Sequence, residues 1–466
     1  MTGLVNRSGS KAGDGVVKVD VQGADSTGVG VRVVVGGPRG RWRLSSRFVA
    51  AALDSHSLIG LTFCALIYLV CLTGTLSVLV DELRLIEQPS PAAVPLRAGV
   101  LNGAVVEALA RERLPTALYA VAPTTPRQRL TVTVYGARGS KSFVSNGRRS
   151  IVPLHTPFTD FVTDLHMTLT APAPWGLVVV GIAGAALLAL VVSGVLAHPR
   201  IFRDAFRLRL NGSRRLYEAE LHNRLSVWGL PFHLTITLTG ALFGLGNLAV
   251  LTVAGLGFHG DTSRVLAPLS GPHVAANSRG AAVPDLEALV RGALVQVPGS
   301  HLIYVGVEQP GTQGAKVTVE VGASGRLPRG EDFHFDASGQ AIGRTGYLSG
   351  ATALQVYSGA AQVHFGFFGG LPARLIYVVL GVALTFITAT GVNIWLARQA
   401  ERGRARPRLG SAWQAWTWGV PIVLGVTGLA SQLVPVSWVF WSGVFWSGVF
   451  AVQGIGWWRG RKLTWV

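Results

Sequence analysis

The chain has 466 residues, a mean hydropathy of +0.42 and only 14% charged residues, whereas soluble proteins of this size usually carry about 25%. Its net charge of +18 would suit a nucleic-acid-binding protein, but no zinc-finger or RNA-binding motif accompanies the charge. Many arginines lie beside long apolar runs, where positive charge marks membrane topology and contacts lipid headgroups. Composition therefore excludes an ordinary soluble protein, gives no support to nucleic acid as a partner, and indicates an integral membrane protein surrounded by a lipid bilayer.

Residues 1–47 are rich in Gly, Val and Arg, and we predict that they form a disordered cytoplasmic tail. They contain no signal peptide with a small-residue cleavage site, so the first apolar run is predicted to be retained as a helix. That run contains both cysteines, Cys64 and Cys71, which are seven residues apart and too distant for a disulfide. Because the chain also lacks a CxxCH attachment motif, any haem it holds would be b-type.

Long charge-free runs predict six transmembrane helices, because about 20 apolar residues cross a bilayer. In chain order, with Pro435 dividing the last two, they cover residues 48–80, 161–197, 222–258, 363–397, 411–433 and 436–457. The short connections 198–221 and 398–410 and the tail 458–466 are rich in basic residues. By the positive-inside rule these segments and both termini face the cytoplasm, which predicts a multi-pass protein of the cytoplasmic (inner) membrane.

Two long segments, 81–160 and 259–362, then fall on the outer side of the membrane. Each has a short helical pattern followed by β-like runs, of which 130–135 (LTVTVY) and 316–321 (KVTVEV) are the clearest. The sequence DASG at 336–339 predicts a hairpin turn. The predicted fold class is an integral membrane α-helical bundle, with a four-helix up-down core, a C-terminal two-helix hairpin and two small α+β extracytoplasmic modules at corresponding places in the two halves.

Four histidines lie near the beginnings of the four core helices. His56 and His222 stand at the predicted cytoplasmic level, whereas His166 and His364 stand at the outer level. Ionisable groups at membrane depth are functional hypotheses by default, and bis-histidine ligation of haem needs two imidazoles at one height on facing helices. The spacing predicts two b-type haems, with iron held by one pair at each level. Histidines that only mark the membrane interface are the alternative that the spacing alone leaves open.

Two further histidines are alternate ligands. His233 follows His222 by eleven residues, which on one straight helix is a rise of roughly 16 Å, so we expect it to approach the outer level. His198 ends the second span at the cytoplasmic face, where it would compete with His56 or His222. The other five lie in soluble segments without a recognisable metal-binding spacing, and we expect surface or substrate-facing roles for His155, His259, His273, His301 and His334.

Several motifs around these histidines are shared with one family. They are 56–60 (HSLIG), 73–75 (TGT), 193–200 (SGVLAHPR), 221–223 (LHN), 230–233 (LPFH), 364–366 (HFG) and 390–391 (TG). With them, residues from about 48 to 400 resemble the PepSY-associated transmembrane helix family, which includes iron-regulated membrane proteins and siderophore-iron reductases. The resemblance implies PepSY-like outer modules and supports a ligand role for His56, His166, His222 and His364. The last two spans depart from the family pattern, and we expect lipid packing or partner docking from them.

The resemblance implies a di-haem transmembrane reductase acting in iron homeostasis, with no catalytic side chain named. The electron acceptor would be a ferric siderophore or another iron chelate on the outer side. The donor would be a quinol or a cytoplasmic protein, since no GxGxxG dinucleotide fingerprint stands at a strand-to-helix turn. Two alternatives are a haem-free PepSY membrane accessory and a siderophore-uptake protein without haem.

Overall fold

The computed structural model describes residues 17–20, 32–35 and 45–462, apart from 126, 138, 149, 173–174, 199–200, 203–212, 324, 329 and 435. The segment up to Ala51 is a unit of its own, in which strands β1 (Val17–Asp20) and β2 (Arg32–Val35) pair antiparallel. Valines recur along both segments and favour strand formation. This pairing corrects part of the prediction of a disordered tail; Pro435, expected to divide the last two spans, lies outside the described residues.

The rest of the chain runs through two similar halves and a C-terminal hairpin. The first half contains α1 (Ser46–Ser77), α2 (Val80–Glu87), α3 (Val100–Ala110), β3 (Pro115–Val121), β4 (Thr131–Gly136), β5 (Gly139–Ser145), β6 (Ile151–Pro153), α4 (Pro157–Thr168) and α5 (Trp175–Ala197). The second contains α6 (Arg214–Trp228), α7 (Leu230–Gly244), α8 (Gly246–Gly257), α9 (Thr262–Ser270), α10 (Leu286–Gln296), β7 (Ser300–Glu308), β8 (Lys316–Ala323), β9 (Gly330–Asp336), β10 (Ala341–Thr345), α11 (Thr352–Phe365) and α12 (Gly370–Glu401). The hairpin is α13 (Pro407–Ser431) and α14 (Trp438–Lys462).

Four of the described helices are long and apolar enough to cross a membrane, namely α1, α5, α12 and α14. A fifth span results if α6 and α7, bent by 72°, are counted as one. Six spans were predicted. The difference arises because α13, although 25 residues long, is not among the helices apolar enough to count as a span, and because the predicted third span divides into α6, α7 and α8. Gly229 lies at the first break, and Pro231 stands in the first turn of α7, where proline is tolerated but cannot continue a preceding helix.

Small residues bring the long helices into close contact. Gly181 of α5 and Gly244 of α7 meet so closely that a β-carbon on Gly244 would lie 2.4 Å from Cα of Gly181. Gly381 of α12 lies close against the side chain of Thr75 on α1. Membrane helices associate through such close backbone packing because lipid gives no hydrophobic drive between them.

The strands of both halves form one sheet. Its order is β10-β9-β8-β7-β3-β4-β5-β6, with β3 and β7 antiparallel at the centre and Tyr119 opposite Gly306. The modules predicted as two separate α+β units are thus joined, which removes two exposed strand edges. The predicted strands at 130–135 and 316–321 are confirmed as β4 and β8, and the predicted turn joins β9 to β10.

One face of this sheet is apolar and is covered by α3 and α10. Its core includes Leu118, Val305 and Val319, each less than 1% exposed. The carboxylate of Glu287 on α10 accepts hydrogen bonds from backbone N–H groups at the beginning of α3, a favourable place for negative charge. The opposite face of the sheet is polar.

One side of the C-terminal hairpin packs against α4. Phe445 of α14 is fully buried, with its ring 5.3 Å from that of Phe161 on α4. The indole N–H of Trp446 donates to Oγ1 of Thr170 over 2.9 Å. Lipid or a partner protein was the expected contact of this hairpin. The structure adds a contact with α4, the helix that carries His166.

Candidate functional site

Each of the four predicted ligand histidines faces a glycine on another helix. A β-carbon placed on each of these glycines would lie within 3.3 Å of Cε1 of the histidine, and the pairs are His56 with Gly194 (3.2 Å), His166 with Gly74 (2.6 Å), His222 with Gly391 (3.3 Å) and His364 with Gly240 (3.1 Å). Every glycine follows Ser or Thr in the sequence. The absence of a side chain at these points lets an imidazole ring lie against the neighbouring backbone.

The hydrogen bonds in the first half fix the tautomer of two of these rings. Nδ1 of His56 donates to the carbonyl oxygen of Leu190 over 3.0 Å and lies 3.1 Å from Oγ of Ser193. Nδ1 of His166 donates to the carbonyl oxygen of Val70 over 3.1 Å. Because a carbonyl can only accept, Nδ1 carries the proton in both rings and Nε2 presents its lone pair.

The second half repeats the arrangement with threonine hydroxyls. Oγ1 of Thr239 lies 2.9 Å from Nδ1 of His364, and Oγ1 of Thr390 lies 3.2 Å from Nδ1 of His222. Each hydroxyl already donates its proton to a backbone carbonyl one turn earlier, so it accepts from the imidazole. A histidine whose Nδ1 is held in this way has Nε2 free to bind a metal.

The four histidines form two pairs at opposite ends of the bundle. We call the end that carries the eight-stranded sheet the sheet side and the other end the far side. His56 and His222 line one far-side cavity of about 290 Å³ and interact electrostatically. His166 and His364 interact in the same way on the sheet side. Gly74, which His166 faces, follows His56 by eighteen residues on α1, a rise of roughly 27 Å.

The two alternate ligands both lie at the far side. His198 is exposed and lines the same cavity as His56 and His222. His233 also lines this cavity and is 2% exposed, and its Nε2 is buried with no hydrogen-bond partner in the part of the chain that the structure describes. The rise expected for one straight helix does not apply to His233, because α6 and α7 are bent by 72° between His222 and His233.

The sheet-side histidines sit on short helices rather than on the spans themselves. His166 is in the last turn of α4 and His364 in the last turn of α11, and each helix ends at a residue in the left-handed conformation, Leu169 or Gly366. The sequence ranges 161–197 and 363–397 merged each short helix with the span that follows. Gly366, two residues after His364, was a sequence signal for the end of α11 that the prediction missed, since glycine favours this helix-ending conformation.

Of the five remaining histidines, His334 departs most from expectation. It is 1% exposed, and its ring nitrogens lie 3.1 Å and 2.9 Å from the hydroxyls of Thr318 and Thr345. It is a buried structural residue, not a surface one. Within the described ranges no three or more His, Cys, Asp or Glu side chains are grouped to hold a metal ion, whereas a bis-histidine haem takes only two protein ligands.

A bundle of membrane-length helices joined to a duplicated α+β sheet defines an integral membrane protein. Residues 53–398 match the PepSY-associated TM region family, and because the match covers most of the chain, the protein belongs to that family. The resemblance seen in the motifs is thereby confirmed. An uncharacterized protein of Pseudomonas aeruginosa is 29% identical over 314 residues, which cover 64% of this chain and 79% of that protein.

Proposed function

We propose that this protein is a di-haem reductase of the cytoplasmic (inner) membrane that passes electrons to ferric iron on the outer side. The observation that carries the proposal is the fourfold arrangement of histidine against glycine, with two histidines at each end of the bundle. In this assignment the sheet side is the outer side and the far side is the cytoplasmic side. The arginine-rich connection that begins at Arg398, a residue lining the far-side cavity, supports this orientation.

The residues present fit a b-type haem at each end. His56 and His222 would hold one iron, and His166 and His364 the other, each through the Nε2 that their Nδ1 contacts leave free. The facing glycines leave the neighbouring backbone open beside each ring. When bound, haem supplies reversible one-electron transfer.

The chain's own residues position the imidazole ligands and shield the path between the two haem sites from water. The carbonyl and hydroxyl acceptors orient the imidazoles and raise their basicity as ligands. The apolar helices between the two levels keep water from the path between them. A quinol or a cytoplasmic protein is proposed as the donor, and a ferric siderophore or other iron chelate as the acceptor; Fe(II) matches hard oxygen ligands less well than Fe(III), so reduction favours release.

Haem stoichiometry on purified protein tests the proposal. We expect about two b-type haems per chain with a low-spin spectrum that responds to dithionite. His56→Ala or His222→Ala should remove the far-side haem and leave the sheet-side haem in place. His155→Ala, at an exposed position, is the matched control and should keep both. Colourless protein from haem-replete cells would overturn the proposal and favour a haem-free accessory or uptake protein.

A further inference from the structure

The wall that α12 gives to the far-side cavity changes from apolar to charged along the helix. Leu384, Gly391 and Arg398 all line the cavity. Because they are seven residues apart, they lie on one face of the helix, with a rise of about 10 Å from each to the next. His222 packs against the middle residue, Gly391. The wall is therefore apolar on the side of this glycine that faces the middle of the bundle, and it carries a guanidinium on the side towards the helix end.

The wall that α5 contributes shows the same change. His56 packs against Gly194, and Leu190 lines the cavity one turn before this glycine. His198 lines it on the other side, just after the helix ends at Ala197. A histidine ring carries at least one N–H donor in either neutral tautomer. On both helices a side chain that donates hydrogen bonds thus follows the glycine, one or two turns nearer the far-side end.

The charges that line the cavity favour an anion. Among the described residues its lining contains one arginine, Arg398, with no lysine and no acidic side chain. The ion pairs within the described part of the chain do not include Arg398, whereas Arg374 on the same helix lies 2.8 Å from Asp81 and 3.2 Å from Glu82. A guanidinium presents its donors as a planar fork that fits a carboxylate or a phosphate. The far-side end of the cavity is therefore suited to an oxyanion.

Haem and lipid are the two sources of an oxyanion at this level. Haem b has one edge with apolar methyl and vinyl groups and another with propionate carboxylates, which matches the change from Leu384 to Arg398. A lipid headgroup offers a phosphate to arginines at the membrane surface. The cavity favours the propionates, because Arg398 lines the same enclosed space as His56 and His222.

We propose that Arg398 and His198 bind the propionate carboxylates of the haem held by His56 and His222. This inference rests on the proposed function, in which that haem is present. Arg398 supplies a charge-assisted contact through its guanidinium, and His198 supplies a ring N–H. Both are positioning residues, since neither binds the iron. His198, which the sequence suggested as an alternate iron ligand, receives a different role.

Haem dimethyl ester, in which both carboxylates are capped, tests the proposal. The full-length chain is prepared without haem and with His364→Ala, so that only the far-side site is filled, and is titrated in detergent with haem or with the ester. We expect haem to bind about tenfold more tightly than the ester, because hydrogen bonds to a charged group are strong. Arg398→Ala should abolish most of this difference and Arg398→Lys should restore part of it, whereas His198→Ala should reduce it by a smaller factor than Arg398→Ala does.

Arg402→Ala is the matched control, since Arg402 is exposed, follows Arg398 by one turn and does not line the cavity. It should keep the full preference for haem. In the otherwise unchanged chain, Arg398→Ala should retain the sheet-side haem, which shows that it folds. Equal affinity of the His364→Ala chain for haem and the ester, or a preference that survives Arg398→Ala, would overturn the propionate contact and leave the two-haem proposal standing. Failure of the wild-type chain to bind haem would overturn both.

Discussion

Gly74→Ala is the most direct test of how the sheet-side histidine pair is held. Gly74 lies on α1, and a β-carbon at this position would stand 2.6 Å from Cε1, 3.0 Å from Nδ1 and 3.2 Å from Nε2 of His166. Every ring atom facing α1 would thus be crowded by a single methyl group. The ring must move away, and its hydrogen bond to the carbonyl of Val70 must lengthen.

The required displacement exceeds what a metal–histidine bond tolerates. Ordinary contact begins near 3.4 Å, so Cε1 must move by about 0.8 Å, whereas ligand distances hold to within about 0.2 Å. The helix itself should not suffer, since alanine is a better helix former than glycine by about 1 kcal/mol. We therefore expect Gly74→Ala to lose the sheet-side haem and to keep the far-side haem, giving about one haem per chain.

Haem stoichiometry and low-temperature EPR of the purified variant provide the readout. Gly60→Ala on the same helix is the matched control, because its β-carbon would meet only Cδ2 of Leu190, at 3.6 Å. It should retain both haems. If Gly74→Ala also kept two haems with unchanged EPR signals, the position of His166 against α1 and the argument from glycine would be refuted.

Three predictions concern stability, measured by thermal unfolding in detergent. Arg374→Gln removes a buried guanidinium lying 2.8 and 3.2 Å from two carboxylates and should cost about 3 kcal/mol; an unchanged midpoint would contradict this. Phe445→Ala should cost about 3–5 kcal/mol, against almost nothing for the half-exposed Phe440→Ala. Burial raises the pKa of Asp332 to about 8, so this carboxyl makes folding stability fall as pH rises from about 4 to 8. Asp332→Asn should therefore stabilise the protein by a few kcal/mol at pH 8 and not at pH 4.

Most of the helices could be predicted from the sequence because a membrane span shows itself as a long run of apolar, uncharged residues. It failed at Gly229, because the charge-free run 225–258 was treated as one continuous helix although Gly229 and Pro231 stand within it. The rise expected between His222 and His233 does not apply for the same reason, since it assumed one straight helix. Local turn chemistry at these two positions, rather than hydropathy, contained the information.

The levels of the histidines followed from topology, but their partners did not. The dipeptide Thr-Gly occurs in three of the core helices, at 73–74, 239–240 and 390–391. Nothing in the sequence says that each glycine faces a histidine from elsewhere in the chain. The fourth step, Ser193-Gly194, escaped comparison because serine replaces threonine. Contacts of this kind depend on helix rotation, which charge-free runs do not specify.

The central pairing of β3 with β7 has a consequence for the origin of the chain. Without this pairing, β3 and β7 would each be an exposed edge strand of its own half. A half-length version would therefore complete the same sheet only by adding an identical copy across a two-fold axis. The present protein is, on this view, such a symmetric dimer covalently fused, and expressing residues 45–198 alone should yield an obligate homodimer.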